Sequence, residues 1–398
     1  MPTINVDLKI MSIDQFRQPF IDRFSESTLP IRAFYAPGRV NLIGDHTDYS
    51  GGLVFPCAID SGTTMLIRKR SDSKVKLSSM NFELMASLDP SGLNQKYGDN
   101  WINYVLGVID QFRQKGIETT GFECLFSGNI PNGGGLSSSA SLEVVTAFAL
   151  NTLFEAGFED IELVKMALAA ENEFVGVNCG IMDQYAVAMA QQEHAMMLDC
   201  NTLHCEQVPL KLDGYQIVIV NSNQRRDLVD SKYNERFEEC QQATRDMQAV
   251  LDIEQLAEVT PEQLKANIHK FSSETVAKRA RHVISEHNRV RRAVTALTNN
   301  QLESFGQLMN ESHRSMSQDF QASTQIIDQL VDISLGTEGV IGARMTGGGF
   351  GGCTVNLVAT SKVDHFITSV GERYKESCGL TADFYPIKSD NGMRELAA

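Results

Sequence analysis

Apolar residues recur at three- and four-residue spacing through 101–115, 138–156, 161–175, 226–251, 277–298, 301–315 and 322–334. That spacing lines one face of an α-helix, so helices are expected there. Shorter runs rich in apolar or β-branched residues, at 32–36, 53–59, 63–68, 74–78, 121–127, 195–200, 215–221, 339–345 and 353–359, predict strands. Helical and strand-like stretches are interspersed without an internal repeat, which implies an α+β or α/β class. At 398 residues the chain exceeds the size at which one core stops growing, so two domains are expected. The seam is expected near 200–215, after Asp199-Cys200 and around Pro209 to Gly214, where no linker-like composition marks it, dividing the chain into 1–205 and 206–398.

Composition narrows the partners. Hydrophobic residues make up 42% and charged residues 21%, ordinary for a globular protein in water. A formal charge of -15 argues against nucleic acid or an anionic membrane surface, both of which are held by basic patches. The basic stretch from Lys278 to Arg292 shares helical spacing with Val283, Ile284 and Val290, and reads as a solvated helix face. Eight cysteines, none in a Cys-x-x-Cys pair, suggest neither a zinc site nor a disulfide framework, and fit a reducing cytoplasm. The first residues carry charge where a signal peptide needs an apolar core, and no apolar run is long enough to cross a bilayer.

Four segments carry more chemistry than folding needs. Gly38 to Tyr49 packs Arg39, Asn41, Asp45, His46 and Asp48 between two apolar runs, as in a binding loop held by two strands or a hairpin with a solvated turn. Pro131 to Ala140, with Gly133, Gly134 and Gly135 before Ser137, Ser138 and Ser139, follows a strand and opens a long helix. Inward-turned amides and a helix N-terminus there suit a phosphate, although no lysine or Walker ending is present. Met345 to Cys353 contains Gly-x-Gly-x-x-Gly at Gly347, Gly349 and Gly352. A strand-like run follows it, whereas a dinucleotide fingerprint must open a helix. In Glu171 to Gln184, Glu171 sits near a helix end where it would reach a metal, and Asp183 stands among apolar residues at a further helix start. Asp183 reads equally as a base or a helix cap.

Together these segments resemble the galactokinases of the GHMP kinase superfamily, over about residues 20 to 390. The resemblance rests on Gly38–Tyr49, Pro131–Ala140, Cys179–Gln184 and Arg344–Gly352, in the family's order. It implies an α+β protein with an N-terminal ribosomal-protein-S5-like domain, a C-terminal ferredoxin-like domain and the active site in the cleft between. It also implies ATP-dependent phosphorylation of the anomeric hydroxyl of α-D-galactose, the first committed step of the Leloir pathway, by a cytoplasmic monomer using Mg2+. Carried over by position, Asp183 would be the base and Arg39 the cation beside the transferring phosphoryl group. Asp45, His46, Thr47, Asp48, Gly180, Asp183 and Tyr233 would line the sugar. Ser78, Gly133, Gly134, Gly135, Leu136, Ser137, Ser138 and Ser139 would hold ATP, with Trp101 and Tyr104 near its base. Ser139 and Glu171 would hold the metal.

One position departs from the family pattern: Asp45 stands where relatives carry glutamate, one methylene longer, against the primary hydroxyl region of the sugar. A kinase acting on N-acetylgalactosamine or galacturonate, a catalytically dead galactose sensor and a dinucleotide-binding oxidoreductase are the rival readings. The strand-like run after Gly352 disfavours the last, and the presence of Arg39, Asp183 and the serine loop disfavours the sensor.

Overall fold

The computed structural model describes residues 13–131, 134–224 and 229–397. In chain order its strands are β1 (Arg32–Asn41), β2 (Leu53–Val54), β3 (Pro56–Lys69), β4 (Val75–Ser79), β5 (Ala86–Leu88), β6 (Phe122–Gly128), β7 (His194–Asp199), β8 (Cys205–Pro209), β9 (Tyr215–Asn221), β10 (Val340–Met345), β11 (Cys353–Ala359), β12 (Asp383–Pro386) and β13 (Arg394–Leu396). They form a six-stranded sheet ordered β13-β1-β3-β6-β4-β5, a four-stranded sheet ordered β10-β11-β9-β12, and a small sheet ordered β2-β7-β8.

The helices expected from spacing are present as Ile102–Gln114, Ser138–Leu153, Asp160–Ala169, Val229–Gln248, Glu274–Thr298, Leu302–Ser315 and Gln325–Leu335. Met182–Met189 begins beside Asp183, where a helix start was expected. Ile13–Phe24 and Val363–Cys378 were not anticipated, although Val363, Phe366, Ile367, Val370 and Tyr374 carry helical spacing. The runs 53–59 and 63–68 fall largely in the single strand β3, and not in two. Register shifts opposite Pro37 and Gly38, so Asp60 and Ser61 bulge out and the strand continues. Gly62 makes this possible, because a Cβ there would lie 2.3 Å from the Ala36 carbonyl oxygen.

Burial explains the layers. One face of the six-stranded sheet, through Phe34, Met65 and Phe126, packs on the helices that contribute Val105, Val144 and Val187. Its other face is covered by Ile13–Phe24, with Phe16 and Phe20 against Leu66 and Leu125. The four-stranded sheet carries Val363–Cys378 on one side through Phe366 and Val370. On its other side Ile219 and Val355 join Phe305 and Val290, and the same cluster takes in Val40, Leu42 and Phe55 from the first half of the chain. Each such buried side chain contributes roughly 1.5–3 kcal/mol, so this shared core fixes the end of β1 beside the second sheet.

The division expected at 205/206 falls in β8, whose Cys205 pairs with Leu198 of β7, and β13 returns to pair Leu396 with Ala33 of β1. Ala33 and Leu396 lie at opposite ends of the chain, so no local break in composition marks this pairing.

Candidate active site

Beyond β1 the chain does not turn out into solvent. Asp45, His46 and Thr47 are 1%, 3% and 0% exposed, which excludes the solvated hairpin. Gly44 adopts φ 101°, and its N–H donates to Glu286 Oε1 at 2.9 Å. The Thr47 hydroxyl lies 2.9 Å from the Gly44 carbonyl and 2.8 Å from that of Leu53. Thr47, expected among the sugar residues, therefore braces the loop from behind and is not in the cavity lining. Asp45 is similarly committed: Oδ2 takes Arg344 Nη2 at 2.6 Å, and Oδ1 takes Asn41 Nδ2 at 2.8 Å and the Gly347 N–H at 3.3 Å.

His46 sits at φ 61° with both ring nitrogens partnered. Nε2 faces the Gly348 carbonyl at 3.1 Å, so it carries the proton, and Nδ1 accepts from the Tyr49 hydroxyl at 2.7 Å. Burial holds its pKa down at about 4, so the ring is neutral. Tyr233, on helix Val229–Gln248, stands with its ring 5.2 Å from that of His46. Asp48 projects beside Gly180, where a Cβ would lie 2.2 Å from Asp48 Oδ2, so only glycine leaves room for that carboxyl. Its pKa is pushed up to about 7, first by burial and then by the charge of Asp183.

Arg39 is held rigidly at the centre. It is 3% exposed, and its Nε and Nη2 donate to Asp183 Oδ1 and Oδ2, each at 2.8 Å, while Nη1 donates to the Gly135 carbonyl at 2.7 Å. This two-pronged pairing orients the carboxylate as well as the cation. The Ser137 hydroxyl donates to Asp183 Oδ2 at 2.7 Å from a left-handed backbone at φ 62°. Asp183 therefore opens helix Met182–Met189 with both carboxylate oxygens anchored.

The serine loop lies against these groups. Gly134 to Ser139 are described; Gly133, expected at the phosphates, lies outside the described residues. Gly347 packs so closely on this loop that a Cβ there would lie 2.7 Å from the Gly135 carbonyl oxygen, and its φ is 78°. The glycine run leads into β11 and not into a helix, which removes the dinucleotide reading.

Two cavities meet at Ser139. One, of about 200 Å3, is lined by Arg39, Asp48, Glu171, Gly180, Asp183 and Tyr233, with Asp45, His46 and Gly348 also at its wall. The other, of about 180 Å3, is lined by Ser138, Trp101, Tyr104, Ser79, Asn81 and Phe82. Ser139 lines both. Ser78 is not in either lining; its neighbour Ser79 is, since successive residues of β4 point to opposite faces. Phe82, 49% exposed at the rim, and Asn81 carry no motif that would have marked them in the sequence.

Glu171 leaves the helical ladder in a π-helical turn, Ala170–Val175, and is 7% exposed. It receives hydrogen bonds from Ser139, Cys179 and Gln184, yet burial and the charge of Asp183 push its pKa up to about 7. Among the described residues no lysine or arginine pairs with this buried carboxyl. Among the described residues no group of three or more His, Cys, Asp and Glu side chains gathers as a metal site. Mg2+ needs only one or two protein oxygens when phosphates and water complete its shell, and Ser139 with Glu171 fits that donor set.

Family models match three parts of the chain: the galactokinase galactose-binding signature over residues 18–69, the GHMP kinases N terminal domain over 103–191 and the GHMP kinases C terminal over 293–376. The chain is 47% identical to a galactokinase of Clostridium acetobutylicum over 367 residues, covering 91% of this chain and 94% of that one. It is 46% identical to a galactokinase of Bacillus subtilis over 369 residues, covering 92% and 95%. The crystal structure of Lactococcus lactis galactokinase complexed with galactose superposes with a TM-score of 0.95 at 43% identity, covering 97% of this chain and all of the other. A mevalonate kinase at 21% identity and a TM-score of 0.64 shares the fold.

Proposed function

The chain belongs to the galactokinase family of GHMP kinases, and from that premise we propose how its residues divide the work of phosphorylating galactose with ATP. The observation that carries the reading is the junction at Ser139, where a cavity walled by carboxylates and Tyr233 opens into one walled by aromatics, with the Arg39–Asp183 pair beside it.

Galactose occupies the first cavity with its anomeric hydroxyl toward Asp183. Asp48 and Tyr233 meet the other hydroxyls, and His46 holds the wall through Gly348. A buried partner left unpaired by the wrong epimer costs about 1–3 kcal/mol, so a few such contacts separate galactose from glucose. ATP lies in the second cavity, its base near Trp101, Tyr104 and Phe82, and its phosphates along Gly134 to Ser139 at the start of the helix. Phosphoryl transfer has a loose transition state, so alignment and charge neutralisation supply most of the acceleration. Arg39, fixed by Gly135 and Asp183, places its guanidinium where charge develops, and Asp183 takes the hydroxyl proton late in transfer. Mg2+ held by Ser139 and Glu171 would neutralise the phosphate oxygens.

Following the products of ATP and galactose by 31P NMR tests this assignment. Wild-type chain should build up an α-anomeric 1-phosphate, and Arg39→Met should lose most of that rate while still binding galactose. A phosphate at another sugar oxygen would sink the placement of Asp183.

A further inference from the structure

Behind Glu171 lies a second carboxylate that the reaction itself does not use. Glu143 is carried on Ser138–Leu153, one turn beyond Ser139, and is 0% exposed. Between the two acids sits Gln184, also 0% exposed and adjacent in sequence to Asp183. Its amide Nε2 donates to Glu171 Oε2 at 2.6 Å and to Glu143 Oε2 at 3.1 Å.

The orientation of that amide is dictated by its neighbours. The NH2 end faces Glu171, where the amide oxygen would be repelled, and the same nitrogen reaches Oε2 of Glu143, whose pKa burial and the charge of Glu171 hold well above the usual carboxylate range. Its two N–H bonds are thereby spent one per acid, and the side chain has no freedom left to rotate. Burying a carboxylate is costly unless it is hydrogen-bonded, so a fully buried Glu143 is worth explaining.

Three short elements thus share one polar knot. Helix Ser138–Leu153 supplies Ser139 and Glu143, helix Met182–Met189 supplies Asp183 and Gln184, and the π-helical turn supplies Glu171. We propose that Gln184, braced by Glu143, is a positioning residue that sets the Glu171 carboxylate for the divalent cation and ties it to the helix bearing Asp183. This rests on the assignment of Glu171 as a metal ligand. A partner one step behind a metal ligand orients it, and losing that partner typically weakens metal binding by about 10–100-fold.

The test uses full-length protein and Mn2+ in the presence of ADP, with bound and free Mn2+ separated by electron paramagnetic resonance and galactose affinity measured by calorimetry. Glu171→Gln comes first: if it leaves Mn2+·ADP affinity unchanged, Glu171 is not a ligand and the proposal falls with that reading. If it does weaken binding, Gln184→Met should weaken Mn2+·ADP by about tenfold or more with galactose affinity unchanged. Adding Gln184→Met to Glu171→Gln should then cause no further loss. Glu143→Gln keeps an acceptor and the side-chain volume, and should produce a smaller loss of the same kind; it decides the matter if Gln184→Met does not fold. Mn2+·ADP affinity equal to wild type in Gln184→Met, or in Glu143→Gln where only that variant folds, would overturn the proposal while leaving Glu171 in place. So would equal losses of Mn2+·ADP and galactose binding, which would mark a general loosening of the site.

Discussion

Asp45 Oδ2 and Arg344 Nη2 meet at 2.6 Å, 1% and 0% exposed, and so bind the segment after β1 to the strand before the glycine turn. The Asp45 carboxylate is here occupied with the protein itself. Arg344 also donates to the Asn41 carbonyl at 3.2 Å, so the pair staples the two halves of the cleft. Removing one partner of a buried pair strands the other charge. Asp45→Ala is therefore expected to cost about 3–5 kcal/mol in urea unfolding. Asp45→Glu inserts a methylene beside Arg344 and should cost about 1–3 kcal/mol without improving galactose binding. A stable Asp45→Ala variant that merely binds galactose poorly would show that Asp45 serves the sugar and not the joint.

Asp183→Ala should lower turnover by at least roughly 10²-fold, the low end of what a positioned base supplies. Nucleotide affinity should change little, because the aromatic wall of the second cavity does not involve Asp183. Single-turnover kinetics with nucleotide titration separates the two, and substantial residual turnover would remove Asp183 from the base role.

Gly180→Ala is a test of space alone. Gly180 does not occupy the left-handed region, so alanine brings no backbone strain, but its Cβ would lie 2.2 Å from Asp48 Oδ2. The carboxyl must then move, and the galactose Michaelis constant should rise by about tenfold, the equivalent of one lost hydrogen bond to a charged group. The ATP constant should stay as it was. Equal galactose constants in steady-state assays would mean that Asp48 does not read the sugar.

Asp48 also predicts a pH dependence. Its folded-state pKa is raised from 3.8 to about 7, chiefly by burial, so the folded chain holds this proton more tightly than the unfolded chain. The resulting stabilisation is full below the unfolded value and is lost as pH rises through about 7. Asp48→Asn escapes that loss, so its thermal midpoint relative to wild type should climb between pH 5 and pH 8. Galactose affinity of the wild type should fall as pH drops below about 7, since a protonated Asp48 accepts hydrogen bonds poorly. Parallel melting curves for the two proteins across that range would contradict the assignment.

Much of this protein is local, and local information was legible. The helical spacing of 138–156, the strand-like run after Gly352 and the serine loop before a helix each follow from residue type and period, because backbone preference and one-sided burial act over a few residues. The same is true of the motif order that makes the chain resemble galactokinases. Strand β3 read as two strands for a tertiary reason, since only the bulge opposite Pro37 lets the chain continue through Ser61 and Gly62.

What the sequence determined by itself was which chemical groups the chain carries and on which kind of element. Which of them meet was decided by packing. Arg39 reaches Asp183 across 144 residues and Asp45 reaches Arg344 across 299, distances over which no local pattern acts. Thr47 turned to two carbonyls, Ser79 replaced Ser78 at the cavity, and Gln184 became the link between two acids for the same reason. A polar side chain forced into a core must find whatever partner the tertiary fold brings within hydrogen-bonding distance, and that partner is set by the joining of Val40, Leu42 and Phe55 to Ile219 and Val355.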